Sequence, residues 1–171
     1  RQMYPLMDQI DEALAGRLAD GATASYAEWF ADPEEARLYS ESQHAGSLGP
    51  ARGLAKRVDL SGIERMLDVG GGTGAFAITL CRTRPDLKVT VVDFPNVATL
   101  GEAYVADAGL SDRISYVRGD ALVAEWPGGQ DAVLMSYLLS GVPASEHDRL
   151  IARAFDHLAP GGRLLIHDFI V

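Results

Sequence analysis

Residues 67–75 read Leu-Asp-Val-Gly-Gly-Gly-Thr-Gly-Ala, and no other stretch constrains what this chain can fold into as tightly. An apolar strand carries Asp68 near its end, a nearly all-glycine loop follows, and an apolar helix starts at Ala75. Glycine permits positive φ and puts no Cβ between the backbone and a ligand. The helix beyond such a loop offers unpaired N–H groups and the positive end of a dipole. The run therefore predicts a strand–loop–helix cradle for a nucleotide-type cofactor.

The rest of the chain fits around that unit. Apolar, β-rich runs predict strands at 63–69, 87–93, 113–117, 131–137 and 163–170, with helices at 75–83, 97–108 and 145–158. Alternation of this kind implies an α/β fold, a Rossmann-like doubly wound parallel sheet covered on both faces. Ligands bind such sheets at the carboxyl ends of the strands. That puts Asp68, Gly70–Gly74, Asp93 and Asp120 around one crevice. Residues 61–171 form the cofactor-binding domain, and residues 1–60 read as a helical segment. Leu14 and Leu18 keep helical spacing before Gly21, and Asp32-Pro33-Glu34-Glu35 reads as an N-cap with proline at the first helical position. A further helix is predicted over 49–58. The intervening stretch 39–47, with Tyr39 and His44, is rich in side chains suited to small-molecule contact.

Charge narrows the partners. A net charge of -9, with scattered arginines, argues against nucleic acid. No apolar run reaches membrane-spanning length and no signal-peptide pattern opens the chain, so it reads as cytoplasmic. The single cysteine, Cys81, allows no internal disulfide and reads as a packed thiol; no metal site is predicted. The chain begins at Arg1 and stops inside the apolar run 163–171, which reads as a piece of a longer protein.

The glycines alone leave the cofactor open. Gly70, Gly72 and Ala75 satisfy the dinucleotide pattern G-x-G-x-x-A, and Asp93 suits ribose hydroxyls in either case, so an NAD-dependent oxidoreductase is the rival reading. Asp68, two residues before the first glycine, would repel a pyrophosphate, whereas the ammonium and sulfonium of S-adenosylmethionine favour nearby acids. Gly119-Asp120-Ala121 follows the third strand, where an acid can accept from an adenine amino group. Finally, Leu158-Ala-Pro-Gly-Gly-Arg-Leu164 resembles the Leu-x-Pro-Gly-Gly-x-Leu segment of class I methyltransferases.

Asp68-Val-Gly-Gly-Gly-Thr-Gly74, Asp93-Phe-Pro-Asn-Val97 and the strand leading into an acidic helix resemble the small-molecule O-methyltransferases of the caffeate and hydroxyindole type and their bacterial relatives, over roughly residues 35–171. The resemblance implies a seven-strand sheet, of which this chain carries five strands, and a helical region that forms homodimers. It implies S-adenosylmethionine as cofactor and a small molecule as acceptor. Gly70, Gly72 and Gly74 would lie against the methionine moiety, Asp93 and Phe94 at the ribose, and Asp120 with Ala121 beside the adenine. Ser136 completes the set, and Asp68 supports the loop or the ammonium.

The resemblance breaks at the reacting end. Plant members carry Lys-x-x-Leu-His-Asp-Trp after the fourth strand, whose histidine deprotonates the acceptor. Here Ser136, Ser140 and Gly141 replace the lysine, histidine and aspartate. A serine is no general base near neutral pH. Three readings stay open. His44 serves as base or orienter, with His147 and His157 solvated on a helix and His167 in a structural hydrogen bond. Alternatively no base is needed, as for a thioether sulfur; the stretch 42–50 resembles the S-methyltransferases of methylthiohydroxybutyrate, with Tyr39, Tyr137 and His44 orienting the acceptor. The third reading is a relative that binds the cofactor with lost or altered chemistry.

Overall fold

The computed structural model describes Asp11, Ala15 and residues 26–169, so the helix expected around Leu14 and Leu18 lies outside the described residues. Five strands pair in parallel: β1 Arg65–Val69, β2 Lys88–Asp93, β3 Ile114–Arg118, β4 Gln130–Ser136 and β5 Leu158–His167. Their spatial order is β3-β2-β1-β4-β5. Successive side chains point to opposite faces of a strand. Met66 and Leu134 accordingly join one core, with Phe76, Ile78 and Leu80, while Leu67, Val69, Val133 and Met135 join another, with Trp126, Leu150 and Ala154. This is the two-sided burial expected for a parallel sheet.

Helices α1 Tyr26–Trp29, α2 Pro33–Arg57, α3 Ala75–Thr83, α4 Pro95–Asp107 and α5 His147–His157 complete the described elements, with 3₁₀ turns at Leu139–Gly141 and Ala144–Glu146 before α5. The chain runs outward from β1 to β2 and β3, then crosses back to β4 on the other side of β1. That reversal opens a crevice beyond the carboxyl ends of β1 and β4.

Two segments differ from the sequence expectation. Residues 39–47 are not a connector, because α2 is one continuous helix of 25 residues through Pro50. A proline inside a helix removes one backbone hydrogen bond and crowds both the carbonyl a turn earlier and the Cβ of the residue before it. Here that residue is Gly49, which has no Cβ, so the last of these clashes is absent and the helix runs through. Its start is as expected: Asp32 accepts from the amides of Glu34 and Glu35, and Pro33 follows at the first position. At the other end of the chain, β5 begins at Leu158 and takes in the Pro-Gly-Gly turn, with an irregular register opposite Gln130 and Ala132.

Candidate active site

A cleft of about 230 Å³ opens at the crevice. Since a single water needs only ~10–15 Å³ on the same kind of measure, the cleft takes a small molecule. Its floor is the loop between β1 and α3. Gly70, Gly72 and Gly74 have φ of 68, 60 and 77°, the left-handed region that a Cβ disfavours. The Gly70 amide still donates to Val92 O at 2.8 Å, so the loop leaves the sheet in a fixed direction. Tyr116 then donates its hydroxyl to Gly72 O at 3.1 Å. Nothing in the sequence points to this tyrosine, because its strand position reads as ordinary core.

Asp93 closes the floor from β2. One carboxylate oxygen accepts from the Gly72 amide at 2.7 Å and the other from the Phe94 amide at 2.8 Å. Only 8% of the residue is exposed, and it lies on the cleft wall. Burial pushes its carboxyl up to about 6, against the pull of those two amides. Asp68 is different. It is fully buried on the α2–α3 side of β1, and neither carboxylate oxygen has a hydrogen-bond partner among the described residues. Burial, then the Asp93 charge, pushes its carboxyl up to about 7. It sits behind the loop rather than on the cleft wall.

The walls come from four other places. On α2, Tyr39, Ser40, Gln43, His44 and Ser47 face the cleft, one turn apart, because the stretch is helical. His44 Nδ1 lies 2.7 Å from Thr73 Oγ1, and its ring lies on Tyr104 with centroids 4.2 Å apart. Burial lowers its pKa, favouring the neutral imidazole. Tyr26 and Phe30 form an aromatic wall with Tyr39 and Phe94. Asn96 holds that wall down by donating to the carbonyls of Phe30 and Ala31 at 2.9 and 3.2 Å. After β3, Gly119, Asp120, Ala121 and Leu122 line the cleft, with Asp120 accepting from the Leu122 amide at 2.8 Å.

The fourth wall follows β4. Ser136, Tyr137, Leu138 and Gly141 line it, and Tyr137 has a φ of 55°, unusual for a residue with a side chain. Its ring packs edge-on to His167, centroids 4.8 Å apart. Ser140 is exposed and is not among the lining residues; its amide donates to Asp168 at 3.1 Å. Of the residues singled out from sequence, the cleft gathers Tyr39, His44, Gly70, Gly72, Asp93, Phe94, Asp120, Ala121, Ser136 and Tyr137. Asp68, Gly74 and Ser140 are not on its wall. Gly74 instead caps α3 beneath Tyr116, whose hydroxyl lies 2.9 Å from where a Cβ would stand. His147 and His157 are partly buried rather than solvated, the former bonded to Leu139 O at 2.8 Å and the latter to Arg153 O at 2.7 Å.

Relatedness decides among the nucleotide cofactors that such a cradle accepts. Residues 6–171 match the O-methyltransferase domain. The chain belongs to that family. Over 121 residues it is 44% identical to a 3-hydroxy-5-methyl-1-naphthoate 3-O-methyltransferase of Streptomyces sahachiroi, covering 71% of this chain and 35% of that protein. Over 162 residues it is 33% identical to the N,N-dimethyltransferase OxyT of Streptomyces rimosus, 95% of this chain and 46% of that protein. The solved structure of LaPhzM superimposes with a TM-score of 0.86 at 25% identity, over 96% of this chain and 50% of that one. The chain spans half, or less, of the length of these relatives.

S-adenosylmethionine is the methyl donor of the O-methyltransferase family, and the cleft suits it. Among the described lining residues there is no Lys or Arg to neutralise a pyrophosphate, while Asp93 and Asp120 are both present. A phosphate-free, cationic cofactor matches that balance. Among the described residues no helix is long and apolar enough to cross a membrane, and no His, Cys, Asp and Glu cluster suits a metal.

Proposed function

We propose that this chain supplies the S-adenosylmethionine site of a small-molecule O-methyltransferase that methylates a phenolic hydroxyl. The observation that carries the reading is Asp93. A carboxylate has about four acceptor sites. Each Asp93 oxygen already accepts one backbone N–H, so each keeps capacity for one more donor facing the cleft. Two neighbouring ribose hydroxyls match that capacity. Gly70 and Gly72 would hold the methionine half, and Asp120 with Ala121 the adenine.

When bound, the cofactor supplies an electrophilic methyl on a cationic sulfur, whose charge favours the ionised form of a nearby phenol. The protein's part is to position the acceptor and exclude water. Tyr26, Phe30 and Tyr39 on one wall and Tyr137 on another give flat apolar surface for an aromatic ring. His44 holds the cofactor loop rather than the acceptor in this reading, because its Nδ1 is committed to Thr73. The exposed Ser140 takes no part as a base. A thioether such as methylthiohydroxybutyrate gains nothing from these walls, since it has no ring to lay against them.

The test supplies labelled S-adenosylmethionine with hydroxynaphthoates, simple phenols of graded acidity, amines and thioethers. Methylation of phenols, faster for the more acidic ones at fixed pH, is the expected result. Transfer only to amines or sulfur would overturn the acceptor assignment. Binding of NADH more tightly than S-adenosylhomocysteine would overturn the cofactor.

A further inference from the structure

Two arginines of α5 reach the loop that follows β3, and Arg149 also pairs with Glu146 at 3.3 Å. Arg153 donates from Nη1 to Ala121 O at 3.0 Å and from Nη2 to Ala124 O. Its guanidinium carbon lies over the Trp126 ring, 4.4 Å from the centroid. Trp126 is 6% exposed, and His157 packs beside it at 5.4 Å while bonding back to Arg153 O. One turn earlier, Arg149 donates to Leu122 O at 3.0 Å. Three carbonyls of one short loop are thus held by two side chains of α5, which packs with that loop into one core. Ala121 and Leu122 are the same residues that line the cleft beside Asp120.

A loop left to itself holds its shape by local bonds, and this one has them. The amides of Val123 and Ala124 donate to Asp120 O, and that of Leu122 to the Asp120 carboxylate. Those bonds shape the turn without fixing where it sits relative to β1 and β4. The planar fork of an arginine, seated on an indole, can fix it. Lysine presents a single point charge and cannot bridge the two carbonyls in the same way.

We infer that Arg153, aided by Arg149, is a positioning residue for the adenine half of the cofactor, setting the distance of the Asp120–Leu122 wall from the glycine loop. The inference rests on the cofactor reading above. Arg113 provides an internal control. It also spans carbonyls, those of Cys81, Arg84 and Pro85, but at the end of α3 away from the cleft.

The experiment titrates S-adenosylhomocysteine and adenosine into the full chain and its R153M, R153K and R113M variants, with thermal unfolding recorded for each. R153M is expected to weaken both ligands about tenfold and by the same factor, since adenosine lacks the methionine half. R153K should fall between R153M and wild type. R113M should lose thermal stability yet bind both ligands within twofold of wild type. Where turnover is measured, R153M should raise the cofactor KM and leave kcat and the acceptor KM unchanged. Wild type that binds neither ligand would overturn the cofactor reading itself. Wild type that binds, with R153M within twofold of it or R113M weakened as much as R153M, would overturn the positioning role alone.

Discussion

Asp93 Oδ2 accepts the Gly72 amide at 2.7 Å, which ties the end of β2 to the loop that leaves β1. The two loops that line the cleft floor are therefore set against each other before any ligand arrives. In the proposed reading, removing the carboxylate takes away two ligand acceptors and this tie together. Asp93→Ala should weaken S-adenosylhomocysteine binding by about 1.5–3 kcal/mol, the cost of losing charge-assisted hydrogen bonds. Asp93→Asn should lose nearly as much, because its amide turns one oxygen into a donor facing a backbone N–H. Calorimetric titration checks both, and unchanged affinity in Asp93→Ala would refute the ribose role.

The buried Asp68 makes stability depend on pH. Its carboxyl is pushed from the ordinary value of 3.8 up to about 7 in the folded protein, first by burial and then by Asp93. The folded state thus holds a proton that the unfolded state has already released. That contribution is fully present below pH 3.8 and is lost as pH rises toward about 7. Asp68→Asn removes the titration. The variant's thermal midpoint, relative to wild type, should climb steadily across that window and level off above it. A difference that stays flat from pH 4 to 8 would contradict this account of Asp68.

His44 and Thr73 should behave as one unit. Their 2.7 Å contact fastens α2 to the cofactor loop, and His44→Ala and Thr73→Val both remove it. Each should weaken S-adenosylhomocysteine by about 0.5–1.5 kcal/mol, the usual net worth of such a bond. The double variant should lose little more than either single one. Turnover at saturating cofactor should change little. A large fall in kcat confined to His44→Ala, with loss of one limb of its pH profile, would make the imidazole a proton acceptor instead.

Most of the cleft floor was legible in sequence because it is local. Gly70, Gly72 and Asp93 lie at strand ends whose apolar runs are unmistakable, and a strand end fixes where the next loop begins. The α2 wall was misjudged for a local reason too, since Pro50 reads as a break and Gly49 before it relieves only part of the clash. Thr73, Tyr116 and Arg153 were not legible. Each acts through a partner 29 to 44 positions away, and no pattern of spacing announces such pairs. The reacting end stayed open because Ser140 departs from the family pattern that would have named a base.

Two glycines should respond to alanine in opposite directions. A Cβ on Gly71 would stand 2.6 Å from the Asp68 carboxylate and 2.8 Å from Val91 Cγ1. Both neighbours are fully buried in β-strands and have nowhere to retreat. Gly71→Ala should therefore cost about 1–3 kcal/mol, as overpacking does. Gly46 lies exposed within α2 with nothing within 4 Å of the added atom. There alanine only removes freedom from the unfolded chain and should add about 0.5–1 kcal/mol. At about 2–4 °C per kcal/mol for a domain of this size, the two variants should separate clearly on either side of wild type in thermal unfolding. A Gly71→Ala protein that melts with wild type would mean the loop stands farther from Asp68 than the structure places it.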